Sequence, residues 1–280
     1  VRVAGDLTAS PLLRLAASGG AAAVRALAGE VARGDADVLD LVIAGAGIAG
    51  VSAALEATRL GLRFELVEPE RPLQTIHDFP PGKPIHLLPE HVEDQGPLHL
   101  AGETKEALLD VLAPQVAGLP VRRGRVVGLA RRAGGARRVL EVTIDEAGVR
   151  RSVLARSVVL AIGRAGGARR LEVEGADQPH VLHRLLDPRA SSGQDVVVVG
   201  GGDAAVEAAV ALADEGARVT LVHRGPDLVR PSAANLRALA RQPAIRVLAR
   251  SEVVRIGGAD VVVRDPEGTR ALPASRVYAL

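Results

Sequence analysis

The sequence predicts an α/β protein in which two parallel sheets with flanking helices are joined by a small antiparallel β segment. Three observations predict it. A strand, a glycine turn, a helix and a second strand follow one another from Asp40 to Glu68. The same order returns without a gap 155 residues on, from Asp195 to His223, and short strands fill the stretch between. At that offset 12 of 29 positions are identical, including Gly45/Gly200 and Gly47/Gly202 of the turns and the Gly61/Gly216 pair after each helix. Two copies are too few for a solenoid and point to two similar nucleotide-binding units.

Leu41–Ala44 and Val196–Val199 are short continuous apolar runs, as parallel strands buried on both faces require. Helices follow from about Ile48 to Leu60 and from Ala204 to Glu215, and each stops at a glycine that tolerates positive φ. Phe64–Val67 and Val219–Val222 return as strands, so each copy is a right-handed βαβ unit of the Rossmann type. Between the copies, Arg125–Ala130, Arg138–Ile144 and Gly148–Leu154 read as three short strands with turns at Gly134-Gly135 and Glu146-Ala147-Gly148. Ser157–Ile162 is a further buried strand ending at Gly163, and residues 164–194 read as a connection. Ile245–Ala249, Val253–Ile256, Asp260–Arg264 and Val277–Leu280 supply the last strands, and an amphipathic helix is predicted through Leu12–Leu27. The expected organisation is a first unit with the small β segment over 38–170, a second over 171–280 that is cut short at its end, and a leading stretch, 1–37.

With 48% hydrophobic and 24% charged residues over 280 positions, the composition excludes a mostly disordered chain. Two Phe, one Tyr and no Trp leave Ala, Val, Leu and Ile to build the core, and offer little to a reader of single-stranded nucleic acid that stacks on bases. The 35 basic and 33 acidic residues nearly balance, and no basic stripe with aromatics argues for nucleic acid. Arg131-Arg132 and Arg137-Arg138 read as a solvated hairpin tip. Cysteine is absent, which removes disulfides, thiolate metal sites, iron–sulfur ligation and a redox Cys-x-x-Cys pair from this chain. No apolar run approaches a membrane span, so a cytoplasmic location is the default expectation, and with no Met at position 1 a piece of a longer reading frame is expected.

A pyrophosphate needs several N–H donors converging at close range. In Gly45-Ala46-Gly47-Ile48-Ala49-Gly50 the first glycine permits the tight turn, the second leaves room for phosphate, and the third lets helix and strand approach. Glu68 stands at the end of the next strand, 21 positions beyond Gly47, where a carboxylate accepts both hydroxyls of an adenosine ribose. The second copy reads Gly200-Gly201-Gly202-Asp203-Ala204-Ala205, with alanine at the third glycine. Where the first copy has Glu68, it has His223, followed by Arg224 and, further on, Arg230. A carboxylate repels a ribose 2′-phosphate and an arginine binds it, so the first site favours an unphosphorylated ribose and the second NADPH.

Two such units with a small strand-rich segment between them resemble the thioredoxin-reductase-like branch of the pyridine nucleotide oxidoreductases, without its redox cysteine pair. The resemblance rests on both glycine motifs, on Ser157–Gly163, on Gly200–Glu207 and on His223-Arg224. It implies that the first unit binds FAD and the second NADPH, through Gly45, Gly47, Ile48, Ala49, Gly50, Glu68 and Gly163 in one, and through Gly200, Gly202, Asp203, Ala204, Ala205, His223, Arg224 and Arg230 in the other. Val1–Leu13 is similar to the family's closing motif, in which a strand ends in Gly-Asp, here Gly5-Asp6, and the Asp contacts the FAD ribityl–pyrophosphate region. In the family that motif comes last; here it comes first, either as the end of a preceding module, the reading favoured by the missing Met, or in permuted order. Asp78–Ile85 lies where the family chain passes the flavin ring, with Lys83 as a candidate contact.

The function implied is hydride transfer from NADPH to FAD, with electrons passed to an outside acceptor such as a ferredoxin-like protein or another domain. A flavin monooxygenase and a non-catalytic nucleotide sensor are the alternatives. No residue stands out as an acid–base catalyst. Asp203 and Glu207 are read either as contacts to the nicotinamide end or as acids that complement the helix dipole. His77, His86, His91 and His99 lack metal-ligand spacing, so no metal is expected, and homodimerisation is left open.

Overall fold

The computed structural model describes residues 1–8, 12–29, 37–87, 95–132, 139–163 and 171–280. The chain divides into two units, Val1–Gly166 and Gly167–Leu280. In the first, β1 (Arg2–Val3) and α1 (Leu13–Ala28) precede β2 (Leu39–Ala44), α2 (Ile48–Arg59) and β3 (Phe64–Glu68). Then come α3 (Gln74–His77), α4 (Lys105–Ala117), β4 (Val121–Arg123), β5 (Arg125–Arg131), β6 (Leu140–Glu146) and β7 (Val149–Leu160). The strands lie in the order β4-β3-β2-β7-β6-β5, with β1 also on β7.

β7 joins the parallel and antiparallel parts of this one sheet. Its first half runs antiparallel to β6, and beyond Ala155 it runs parallel to β2. β1 occupies the edge of β7 that β6 leaves, pairing Arg2 with Val159 and Val3 with Leu160. The separate strands expected at Gly148–Leu154 and Ser157–Ile162 are therefore one; the residues between them, Ala155 and Arg156, include no glycine or proline to break a ladder. The Glu146–Gly148 turn is as predicted, a two-residue hairpin with positive φ at both Ala147 and Gly148. The expected Gly134-Gly135 turn, Arg137-Arg138 and His91 lie outside the described residues.

α1 lies along α2. A Cβ at Gly20 would stand 2.0 Å from the Ala49 carbonyl oxygen, so the two backbones touch where a side chain would separate them. Ala17 accepts a hydrogen bond from the Ser52 hydroxyl at 2.7 Å. The Glu56 side chain, with no solvent exposure, is held by Arg25 of α1 and by Arg59 one turn along α2. Residues 1–8 and 12–28 thus pack on the rest of the first unit, one of whose buried clusters draws on both helices and β2.

The second unit contains β8 (Val181–Leu182), β9 (Asp195–Val199), α5 (Asp203–Asp214), β10 (Arg218–Val222), α6 (Ala233–Ala240) and β11 (Arg246–Leu248). β12 (Glu252–Ile256), β13 (Asp260–Asp265), β14 (Gly268–Pro273) and β15 (Arg276–Ala279) complete it. A parallel sheet runs β11-β10-β9-β15-β8, and β12-β13-β14 form an antiparallel one. Part of the expected connection over 164–194 is thus an edge strand, β8, whose two residues are too few to show periodicity. In each unit the strand before the glycine turn has its successor on one side and a later strand on the other, β2 between β3 and β7 and β9 between β10 and β15. Ligands in open α/β sheets bind at such a reversal, beyond the carboxyl ends of the strands.

Two glycine cradles with different mouths

The predicted close-packing roles of the glycines hold in both turns. A Cβ at Gly45, whose φ is +97°, would meet the Ala161 carbonyl oxygen at 2.4 Å, and one at Gly50 would meet the Gly45 carbonyl oxygen at 1.8 Å. A Cβ at Gly47 would meet nothing within 4 Å, so the face of the turn that a phosphate needs is open. In the second copy a Cβ at Gly200 would lie 2.7 Å from the Ala205 Cβ; the bare Gly200 makes room for alanine at the third position.

The helices that start here have no side-chain caps. α4 and α6 begin at Thr104 and Ser232, whose hydroxyls accept a backbone N–H at 3.3 Å. α2 and α5 begin at Gly47 and Gly202. Val51 and Val206 are the first to bond back, to the carbonyls of Gly47 and Gly202. The N–H groups of Ile48, Ala49 and Gly50, and of Asp203, Ala204 and Ala205, therefore have no intrahelical acceptor and converge at the positive helix end.

The mouths of the cradles differ. Glu68 reaches back to its own turn: one carboxylate oxygen accepts the Ala46 N–H at 2.8 Å and the other the Glu70 N–H at 3.1 Å. Each oxygen keeps a lone pair for a hydroxyl. Leu73 fixes the same turn from the other side, donating its N–H to the Ala46 carbonyl at 2.8 Å, a contact with no signal in the sequence. Gly163 takes φ +62° after β7, as the expected strand end requires, and Ala161 before it bonds to the Ala44 carbonyl. From the amino-terminal side, Ala4 donates to the Leu160 carbonyl at 3.0 Å, and a Cβ at Gly5, φ +74°, would touch the Ala49 Cβ at 3.0 Å. The Gly5-Asp6 turn thus sits at the amino end of α2. The Lys83 ammonium lies over the Phe79 ring, 5.1 Å from its centroid.

At the second mouth the His223 imidazole lies on Gly201, where a Cβ would stand 2.1 Å from Nδ1, and its other edge packs on Gly225. Its Nε2 is 3.2 Å from the Asp227 carbonyl oxygen. The group nearest the open face of Gly202 is the Arg230 guanidinium, with Nη2 3.9 Å from where a Cβ would stand. Arg224 is exposed on the same loop. Asp203 is engaged elsewhere: its Oδ1 accepts the Ser232 N–H at 2.7 Å and the Asn235 side-chain amide at 2.6 Å, and Glu207 accepts from that same amide at 3.1 Å. Nothing in the sequence marked Asn235. Among the described residues no three His, Cys, Asp or Glu side chains are grouped to hold a metal, and no helix is long and apolar enough to cross a membrane. Burial, with Arg71 and Lys105 nearby, holds the His77 imidazole below its ordinary pKa.

The pyridine nucleotide-disulphide oxidoreductase family matches residues 39–279. A ferredoxin–NADP reductase of Ignicoccus hospitalis is 30% identical over 189 residues, covering 66% of this chain and 56% of that protein. Ferredoxin–NADP reductase 1 of Cupriavidus taiwanensis is 32% identical over 272 residues, covering 86% of this chain and 70% of its own length. Thioredoxin reductase of Lactococcus lactis has the same fold, with a TM-score of 0.68 at 22% identity over 86% of this chain and 77% of that one.

Proposed function

Since this chain belongs to the pyridine nucleotide-disulphide oxidoreductase family, we propose that it is an NADPH-dependent flavoprotein oxidoreductase that passes electrons to an outside acceptor. FAD and NADPH, when bound, supply the hydride acceptor and donor. The residues fit both groups. The open face of Gly47 and the unbonded N–H groups of Ile48, Ala49 and Gly50 would hold the FAD pyrophosphate, and the free lone pairs of Glu68 its ribose hydroxyls. Residues 1–8 would close the same cradle through the Gly5-Asp6 turn. Gly163 lies at the carboxyl edge of the same sheet. In the second cradle Gly202, Ala204 and Ala205 would hold the NADPH pyrophosphate, with Arg224, Arg230 and His223 on the 2′-phosphate side.

The observation that carries this reading is the contrast at the two mouths, a carboxylate bonded into one turn and a guanidinium facing the other. No cysteine is available to store the electron pair, so it leaves for an acceptor outside the chain. The names of the relatives favour a ferredoxin as that acceptor.

The test is anaerobic. The chain is reconstituted with FAD, freed of excess, and mixed with NADPH; the flavin absorbance bleaches, and oxidised ferredoxin restores it. A chain that binds NADPH but retains no flavin acts as a nucleotide sensor instead. Oxygen uptake matched by hydroxylation of an organic substrate makes it a monooxygenase.

A further inference from the structure

Asp203 presents a puzzle of charge. It is the first residue of a helix whose amino end is to receive a pyrophosphate, and a carboxylate there repels the ligand. Its geometry resolves the puzzle. Oδ1 accepts two hydrogen bonds, from the Ser232 backbone and the Asn235 side chain, and the other Asn235 amide bond goes to Glu207. The carboxylate is turned toward the loop between β10 and α6, and it fastens that loop to the start of α5.

That loop carries the cations. Arg230 is two residues before Ser232, and between them stands Pro231, buried and fixed at φ near −65°. Proline also restricts the residue before it to extended backbone, so Arg230 has little conformational freedom once the Ser232 N–H is held. The guanidinium is thereby aimed at the open face of Gly202. The loop is held at its other end as well, where Arg250 donates to the Gly225 carbonyl at 2.8 Å and Ser251 to the His223 carbonyl at 3.0 Å.

We infer that Asp203 and Asn235 are positioning residues for nucleotide selectivity: they contact no phosphate themselves but hold Arg230 where a ribose 2′-phosphate is recognised. The inference rests on the reading of the second cradle as the NADPH site. A direct nicotinamide contact and a simple dipole effect, the two roles the sequence left open for Asp203, both predict something else. The first predicts equal losses for both nucleotides. The second predicts that removing the charge improves binding of the more negative one.

The experiment measures Kd for NADP⁺ and NAD⁺ by calorimetry on the whole chain. Asp203→Ala and Asn235→Ala each lower the NADP⁺ over NAD⁺ preference by about tenfold, the loss of one charge-assisted hydrogen bond's worth of positioning. Asp203→Asn retains the preference, because an amide oxygen still accepts from both Ser232 and Asn235. In an Arg230→Ala background, Asp203→Ala changes the preference no further. An unchanged or increased preference in Asp203→Ala overturns the inference, and so does an equal fall in Asp203→Asn or an additive fall in the double variant. NAD⁺ binding in each variant reports that the cradle is folded. If the unsubstituted chain shows no preference, or Arg230→Ala leaves it intact, the NADPH reading itself fails, and that outcome is separable from failure of the Asp203 role.

Discussion

In the proposed site Glu68 does two things with one carboxylate: it braces the Ala46 N–H and would offer its remaining lone pairs to the ribose. Removing it frees a backbone donor and, in the proposed site, would lose both hydroxyl contacts. Glu68→Ala should therefore weaken FAD binding by about 10–100-fold, measured by quenching of flavin fluorescence, with Glu68→Gln between it and the unsubstituted chain. The place of Glu68 at the strand end was legible from spacing alone; the brace was not, since no sequence pattern marks which backbone N–H a side chain will reach. Ala147 is a second residue with a readable consequence. It sits at φ +56° ahead of Gly148, in a two-residue hairpin whose turn type demands two positive φ values. Ala147→Asn, which tolerates that region, should raise stability by about 0.5–1 kcal/mol, read as a shift in urea midpoint at constant slope.

Among elements, the contact between α1 and α2 depends on small residues and one buried acid. The hydrogen bond from Arg59 holds the Glu56 carboxyl at about 2, against an ordinary 4.5; burial pulls the other way, and the bond and charge of Arg25 add to the lowering. A carboxyl lowered on folding stabilises the native state above its unfolded pKa, and the stabilisation is lost as pH falls from about 4.5 toward 2. Glu56→Gln should cost about 1–3 kcal/mol at neutral pH and flatten the acid limb of a stability–pH curve, by denaturant titration at stepped pH. A limb of unchanged steepness would place the acid sensitivity elsewhere. The amphipathic pattern of α1 was legible, but its partner was not, because Gly20 against Ala49 is a long-range contact that periodicity does not encode. β8 and β14 were missed for a related reason: one has two residues, and the other is a mixed run with glycine and proline at its ends.

At the scale of the whole chain, the internal repeat made the two-unit plan readable, since a duplicated βαβ pattern has few other folds to enter. It did not show that the two turns are built unlike each other. Gly45 is left-handed and Gly200 is not, and Glu68 is bonded into its own turn while the Arg230 guanidinium stands near the open face of Gly202. The departures from the repeat at Glu68, His223 and Arg224 marked only that the mouths differ in charge. Each unit has its own buried clusters, so ligand binding should be felt locally in each. A ligand at a hundred times its Kd stabilises the state that binds it by about 2.7 kcal/mol. In hydrogen exchange read by mass spectrometry, FAD should slow exchange in peptides spanning Gly45–Val51 and Glu68–Leu73. NADP⁺ should instead slow those spanning Gly202–Val206 and Arg224–Ser232, where the donors and the cationic loop lie. Protection of the second set by FAD alone, or of the first by NADP⁺ alone, would contradict the assignment of the anionic mouth to one coenzyme and the cationic mouth to the other.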